Sequence, residues 1–373
     1  MRIGIFDRNL NVCGGRELLT ASIIDCLKRM QCEILLISSE KFDGSLLKRN
    51  FGLDVLVDNE ILLPVEFPRL PYFMTVYWKL FVPSLLRNKC DIIVDAFSNL
   101  LSPFVGVTYF HGFWQIGNIT PESDVKPKFL HPSQWPCFLI QKIIASNSKK
   151  LILANSNFTA NGIQKLLGVR PTVIYPPVRT IALNSSSSGS KENIVLTISR
   201  FSHEKNLEIL PKIAQKTYNA KFVVFGSVYD EETFAGYKKM ITLVEQHGIK
   251  DKVKVLTNLS LSEKLSLLAR SKVYLHTMKF EDFGISIAEG MMASCVPVVH
   301  NSGGPIEFVP KEWRYDDPEG ASQKIEEALE KWSPKIGKEL RTIASQFSEI
   351  NFRQRFSTIF RNYLTSLNWQ QFC

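Results

Sequence analysis

Two doubly wound, Rossmann-like α/β domains facing each other across a cleft are the fold class this sequence predicts, on three observations. Short apolar runs alternate with longer amphipathic stretches, the pattern of parallel strands joined by helical crossovers. The alternation pauses at Tyr175-Pro-Pro-Val178 and the low-complexity Ser185-Ser-Ser-Ser188-Gly189-Ser190, then restarts. The length, 373 residues, suits two domains of roughly 100–200 residues each.

Taken in order, Ile3 to Phe6 reads as a strand, Gly15 to Met30 as a helix and Glu33 to Ser38 as a strand, with further strands at Asp91 to Asp95 and Leu151 to Ala154. After the pause, strands are expected at Ile194 to Ile198, Lys221 to Phe225, Val253 to Leu256 and Val273 to His276, and a last one at Val296 to His300. Helices fall between them at Leu207 to Thr217, Ala235 to His247, Ser262 to Ala269 and from near Gly284. The final segment, Phe347 to Leu367, places Phe352, Phe356, Ile359, Phe360 and Tyr363 on one helical face. With an apolar face to bury and no later strand to serve, it is expected to dock across the domain junction. The expected boundaries are residues 1–183 for the first domain, 191–346 for the second and 347–373 for a helix crossing back to the first. In doubly wound sheets, ligands sit at the carboxyl ends of the strands, so the active cleft is expected between the halves.

Composition narrows the function. Apolar residues make up 45% and charged residues 22%, a globular ratio that excludes wholesale disorder or a coiled coil. Apolar stretches are interrupted, by Lys79 and Pro83 for example, before the ~18–20 residues a membrane-spanning helix needs. Arg2 to Phe6 reads as a strand rather than a signal peptide. Seven cysteines, Cys13, Cys26, Cys32, Cys90, Cys137, Cys295 and Cys373, form no C-x-x-C pair; this points to reduced thiols and a cytoplasmic protein. The formal charge is +9. Between Val125 and Lys191 stand nine basic residues and no acid, either a solvated basic face or a field that attracts phosphate or an anionic membrane.

The most informative segment is Glu281-Asp-Phe-Gly-Ile-Ser-Ile-Ala-Glu289-Gly, followed by a strand and Asn301-Ser-Gly-Gly-Pro305. A helix opening near Phe283 puts Glu289 roughly 9 Å down its axis, similar to the span from sugar to ribose across a diphosphate. Between the two carboxylates lie the amides of Phe283, Gly284, Ile285 and Ser286, an anion site by virtue of free N–H groups and the helix dipole. The bland alternative makes Asp282 a cap and Glu289 a surface acid. In Thr197-Ile-Ser-Arg200-Phe-Ser-His-Glu-Lys205-Asn206, Arg200 and Lys205 follow a strand, where two cations can neutralise a diphosphate; otherwise they simply face solvent. No D-x-D triplet occurs and no His/Cys/Asp cluster has ligand spacing, so metal-dependent transfer is not indicated.

Together, Arg200 with Lys205, Val223-Val-Phe-Gly-Ser227, the E-x7-E pair Glu281 and Glu289, and Ser302-Gly-Gly-Pro305 resemble the family 4 retaining glycosyltransferases of the GT-B fold. Gly14-Gly15-Arg-Glu17, Asn155-Ser-Asn-Phe-Thr159 and Tyr175-Pro-Pro-Val178 extend the likeness into the first half. Phe283-Gly-Ile-Ser-Ile and His300-Asn-Ser-Gly-Gly-Pro305 look most like mannosyltransferases that extend lipid-linked oligosaccharides. The resemblance implies a metal-independent retaining hexosyltransferase, with no cofactor beyond its donor substrate. GDP-mannose is the preferred donor, with UDP-glucose, UDP-galactose or UDP-N-acetylglucosamine as alternatives, and the acceptor is a glycan or polyprenyl-linked sugar. It further implies that Arg200 and Lys205 bind the diphosphate, Glu289 the ribose, and Glu281 the transferred sugar. Gly14 and Gly15 would close over the donor, and His111, in Tyr109-Phe-His-Gly-Phe-Trp114, would hydrogen-bond the sugar near the anomeric carbon. The bland reading of His111 is a packing residue among aromatics.

Leu62 to Leu86 is dense in aromatic and aliphatic residues with Arg69, Lys79, Arg87 and Lys89 in or beside it. It reads either as an interfacial element that receives a lipid-linked acceptor or as a helix packed on the first sheet; with the basic stretch it favours peripheral attachment to an anionic leaflet. Two rivals fit less well. A nicotinamide-dependent dehydrogenase lacks its G-x-G-x-x-G, and a nucleic-acid-binding protein leaves Glu281 and Glu289 unexplained and shows no recognised module.

Overall fold

The computed structural model describes residues 1–12, 14–63, 72–114, 134–147, 149–179 and 191–368. The chain divides into two compact units, Met1–Pro177 with Glu349–Cys373, and Val178–Ser348. In the first unit the order is β1 (Arg2–Phe6), α1 (Gly15–Arg29), β2 (Glu33–Ser38), α2 (Gly44–Phe51), β3 (Asn59–Leu62), α3 (Tyr72–Phe81), β4 (Ile92–Asp95) and β5 (Val107–Phe110). There follow α4 (Gln134–Ala145), β6 (Leu151–Ala154), α5 (Asn157–Leu167) and β7 (Thr172–Val173). The second unit carries β8 (Glu192–Ile198), α6 (Leu210–Lys216), β9 (Lys221–Gly226), α7 (Glu231–Gln246), β10 (Val253–Thr257), α8 (Leu261–Arg270) and β11 (Ser271–His276). It continues through α9 (Ile285–Met292), β12 (Val296–His300), β13 (Arg314–Tyr315), α10 (Pro318–Lys331) and α11 (Pro334–Ser345), and α12 (Glu349–Ser366) then returns to the first unit.

Among the described residues the first sheet has the strand order β3-β2-β1-β4-β5-β6-β7 and the second β10-β9-β8-β11-β12-β13. All pairings are parallel. Such strands are covered on both faces, so they read as unbroken apolar runs and not as alternating ones: Ile194, Val195 and Leu196 of β8 and Val273, Tyr274 and Leu275 of β11 are all buried. Strand order reverses between β1 and β4 in one sheet and between β8 and β11 in the other. The loops leaving adjacent strands diverge there and open a crevice. The segments singled out around Arg200 and Glu281 leave β8 and β11, the two strands that flank the second reversal.

Helix α12 buries Phe352, Phe356, Phe360, Tyr363 and Leu364 in the core of the first unit, with Leu19, Ile23 and Leu27 of α1. Phe352, Phe356 and Phe360 stack successively, at centroid spacings of 5.9 and 5.7 Å. Tyr363 hydroxyl donates to the Gly106 and Lys149 carbonyls. The four-residue spacing of the phenylalanines thus becomes a ladder down one helix face. No described helix is long and apolar enough to cross a membrane. Arg69, the serine run and parts of the Val125 to Lys191 stretch lie outside the described residues.

Candidate active site

The site in the second unit is built at the reversal between β8 and β11. After β8 the chain makes a short 3-10 turn, His203–Lys205, ended by Asn206 in the left-handed region at φ 50°. That turn is tied to the loop after β11: Thr277 Oγ1 donates to the Lys205 carbonyl at 2.6 Å, and Asn206 Nδ2 to the Thr277 carbonyl at 3.3 Å. The tie brings Lys205 to Glu281, where Nζ donates to Oε2 at 2.7 Å. His276, the last residue of β11, donates from Nε2 to the same oxygen at 3.0 Å. Burial works against the charge on Glu281, but the Lys205 ammonium and the His276 ring outweigh it and hold the carboxyl well below its usual range.

Arg200 donates to Glu204 Oε1 at 3.1 Å. Burial opposes its charge, yet Tyr229, Glu204 and Glu281 together raise its pKa. Its side chain remains 55% exposed. Glu289 lies on α9, 6% exposed, and is gripped by Lys264 of α8, whose Nζ donates to Oε1 at 3.0 Å and Oε2 at 2.8 Å.

Between Glu281 and Glu289 stands the start of α9. Its opening lies at Ile285, two residues later than expected, because Gly284 caps it with φ 92°, ψ 62°, a conformation only glycine adopts without strain. Glu289 is therefore about 6 Å down the axis and not 9 Å. The Ile287 and Ala288 amides are both taken by the Gly284 carbonyl; among the described residues no acceptor is placed on the Gly284, Ile285 or Ser286 amides. The buried Tyr274 phenol donates to the Ile198 carbonyl at 3.0 Å. A Cβ on Gly284 would sit 3.5 Å from Glu281 Cγ, so the helix start and the first glutamate share one corner. Ser302-Gly-Gly-Pro305 braces that corner: Gly304 donates to the Glu281 carbonyl at 2.7 Å, and a Cβ there would lie 2.1 Å from the Asp282 carbonyl oxygen.

In the first unit, Gly14 caps α1 and Gly15 is its first residue. The Gly14 amide donates to Glu17 Oε2 at 2.9 Å, and a Cβ on Gly14 would fall 2.7 Å from that oxygen. Glycine here thus has an internal reason, independent of any ligand. His111 follows β5; its Nε2 lies 2.8 Å from the Ala96 carbonyl, which can only accept, so Nε2 carries the proton and Nδ1 the lone pair. Its carbonyl accepts from Asn155 Nδ2 at 2.7 Å, while Ser156 caps α5 through the Thr159 amide; this is the structural content of the Asn155 to Thr159 motif. Burial lowers the His111 pKa to about 4. Nearby, burial raises Asp7, at the end of β1, to about 6 despite Arg16.

Sequence reasoning singled out Arg200, Lys205, Glu281, Glu289 and the α9 amides, and the structure brings Lys205, Glu281 and Gly284 together. It missed Lys264 and His276. His276 was open to discovery as a polar residue at the carboxyl end of a strand beside the reversal. Nothing in the sequence says which face of α8 Lys264 occupies. Among the described residues no cluster of three or more His, Cys, Asp or Glu is placed to hold a metal ion.

Comparison with known proteins bears on the family and the fold. The family described as "Glycosyl transferases group 1" matches residues 178–345. A relative from Dictyostelium discoideum, GDP-Man:Man(3)GlcNAc(2)-PP-Dol alpha-1,2-mannosyltransferase, is 29% identical over 58% of this chain and 48% of its own length. The Homo sapiens alpha-1,3/1,6-mannosyltransferase ALG2 is 26% identical over 64% of this chain and 63% of its own. The chain spans about half the length of most of the curated relatives it matches. Among solved structures, sucrose-phosphate synthase from Thermosynechococcus elongatus superposes with a TM-score of 0.75 at 14% identity, covering 98% of this chain and 100% of that one. The second unit thus matches the model of the group 1 glycosyl transferases, and the chain as a whole has the GT-B glycosyltransferase fold and resembles the mannosyltransferases of lipid-linked oligosaccharide assembly.

Proposed function

We propose that the chain is a retaining, family 4 type hexosyltransferase that moves mannose from GDP-mannose to a lipid-linked glycan without a metal ion. The observation that carries this reading is the corner where Glu281, Lys205 and the amides of Gly284, Ile285 and Ser286 meet, with Glu289 one turn further on. In the reading, the amides and the α9 dipole take the diphosphate, joined by Arg200 and Lys205. Glu289, fixed by Lys264, accepts from the ribose hydroxyls, and Glu281 from hydroxyls of the hexose. Gly14, Gly15 and His111 are assigned to the donor by the same resemblance; His111, neutral down to about pH 4, would accept a hydrogen bond from a sugar hydroxyl at Nδ1.

Arg200, Lys205 and Lys264 are each already paired with a carboxylate, so a diphosphate enters by partner exchange and not by neutralising spare cations. As the bond to the hexose breaks, charge builds on the departing diphosphate. Fixed N–H groups and the two cations stabilise that charge without reorganisation. The same oxygens then take the acceptor's proton on the face they leave, which keeps the anomeric configuration.

Attachment to an anionic, cytoplasmic membrane face belongs to the same proposal. Trp135, Leu139 and Ile143 of α4, spaced four apart, are 52%, 51% and 70% exposed, and the exposed Lys142 stands among them. An outward apolar stripe beside a cation suits a leaflet interface.

The deciding experiment incubates the protein with GDP-mannose, UDP-glucose, UDP-galactose and UDP-N-acetylglucosamine, with a lipid-linked glycan, with and without EDTA, and follows free nucleotide. Release of GDP that is insensitive to EDTA and yields an α-linked product is expected. Release of UDP only, or an inverted product, would overturn the reading. Flotation with anionic but not neutral vesicles tests the membrane part; equal failure with both removes it.

A further inference from the structure

We propose that His276 is the positioning residue that fixes the Glu281 carboxylate for the hexose, an inference that rests on reading Glu281 as the hexose acceptor. The ring is 3% exposed, and a carboxylate only accepts, so the proton between them sits on Nε2. Both donors to Glu281, His276 and Lys205, approach Oε2; among the described residues no donor is placed on Oε1. Oε1 is therefore the lone-pair face left for sugar hydroxyls.

The two donors differ in mobility. Lys205 is a four-carbon stem that also touches Met278 Sδ at 3.2 Å, and it is one of the cations that a diphosphate would draw away. The imidazole is fixed on the end of β11, where its backbone carbonyl is held by Tyr315 hydroxyl at 2.9 Å. When Lys205 turns to phosphate, His276 is the donor that still orients Glu281. A second feature argues against a purely structural role: His276 Nδ1 is buried with no hydrogen-bond partner among the described residues. A buried polar atom left unpaired works against folding, and an apolar residue would avoid it. What the histidine adds in exchange is its single side-chain bond, to Glu281.

The test compares His276→Gln, whose amide nitrogen can reach the position of Nε2, with His276→Asn, one methylene too short, and His276→Leu. Calorimetric affinities for GDP and for GDP-mannose give the increment due to the sugar, initial rates give kcat/KM, and thermal midpoints report folding. The Asn and Leu variants are expected to lose roughly 10- to 100-fold in kcat/KM and in the sugar increment. GDP affinity and thermal midpoint should stay near wild type, and the Gln variant should be rescued to within about threefold. Glu281→Gln serves as reference, and His276→Asn added to it should cost nothing further. If Glu281→Gln loses the sugar increment while the Asn and Leu variants keep it, or if Gln is as impaired as Asn, the positioning role is wrong. If all three variants lose GDP binding and melt early, His276 is a folding residue and the proposal falls. Should Glu281→Gln itself retain the sugar increment, it is the hexose reading of Glu281 that fails.

Discussion

Replacing Gly284 by alanine tests the site at its narrowest point. At φ 92° an L-residue costs about 1–2 kcal/mol. The added methyl would also lie 2.5 Å from Ile287 Cδ1 and 3.1 Å from Cγ1, which forces the isoleucine off its rotamer at about 1–2 kcal/mol more. For a domain of this size each kcal/mol shifts the midpoint by about 2–4 °C, so the second unit should melt roughly 5–15 °C lower. Gly248, also in this unit, has φ 64° and nothing within 4 Å of an added Cβ. Gly248→Ala therefore incurs the backbone cost alone and should shift the midpoint by roughly 2–8 °C. The two should separate further in GDP binding by calorimetry. Moving the α9 amides weakens charge-assisted hydrogen bonds worth about 1.5–3 kcal/mol each, so Gly284→Ala should lose at least about tenfold and Gly248→Ala nothing. Equal midpoints and equal GDP affinities for the two variants would refute both the clash and the anion site.

Three further outcomes follow from particular residues. Lys264→Met leaves Glu289, 8% exposed at its side chain, without its cation; the midpoint should fall by the equivalent of about 2–4 kcal/mol and GDP binding should weaken, while Lys264→Arg retains most of both. A Met variant that melts like wild type would sink that pairing. The folded-state pKa of Asp7 is raised from 3.8 to about 6, so the native state binds more protons than the unfolded one between those values and stability falls as pH rises through them. Asp7→Asn should therefore stabilise the protein by on the order of 1–3 kcal/mol at pH 7.5 and hardly at all at pH 4, as read from denaturation midpoints at the two pH values. Phe356→Ala, at a position 1% exposed in the middle of the α12 ladder, should cost about 3–5 kcal/mol; calorimetry should show that loss in the transition of the first unit, and an unchanged transition would show that α12 does not complete that core.

Much of the architecture was legible because parallel strands and amphipathic helices have periods that the chain spells out. Val273 to His276 and Val296 to His300 could be nothing but buried strands, and the phenylalanines of α12 fall on one face by counting. Short edges escaped: β7 and β13 have two residues each, too few for a period, and β3 opens on the polar Asn59 and Glu60. The opening of α9 was placed two residues early, because a left-handed glycine cap is a backbone state and a sequence shows only that glycine is permitted it.

For the site, the sequence by itself determined which chemical groups are present, two carboxylates eight residues apart, two cations after an earlier strand and a glycine-led helix start, because these are local patterns along the chain. Only the tertiary structure decided that Lys205 meets Glu281 and not solvent, that Lys264 grips Glu289, and that His276 spends its one side-chain hydrogen bond on the same glutamate. Those pairings join residues 5 to 76 positions apart, and a separation along the chain becomes a distance only when β8 and β11 are laid side by side.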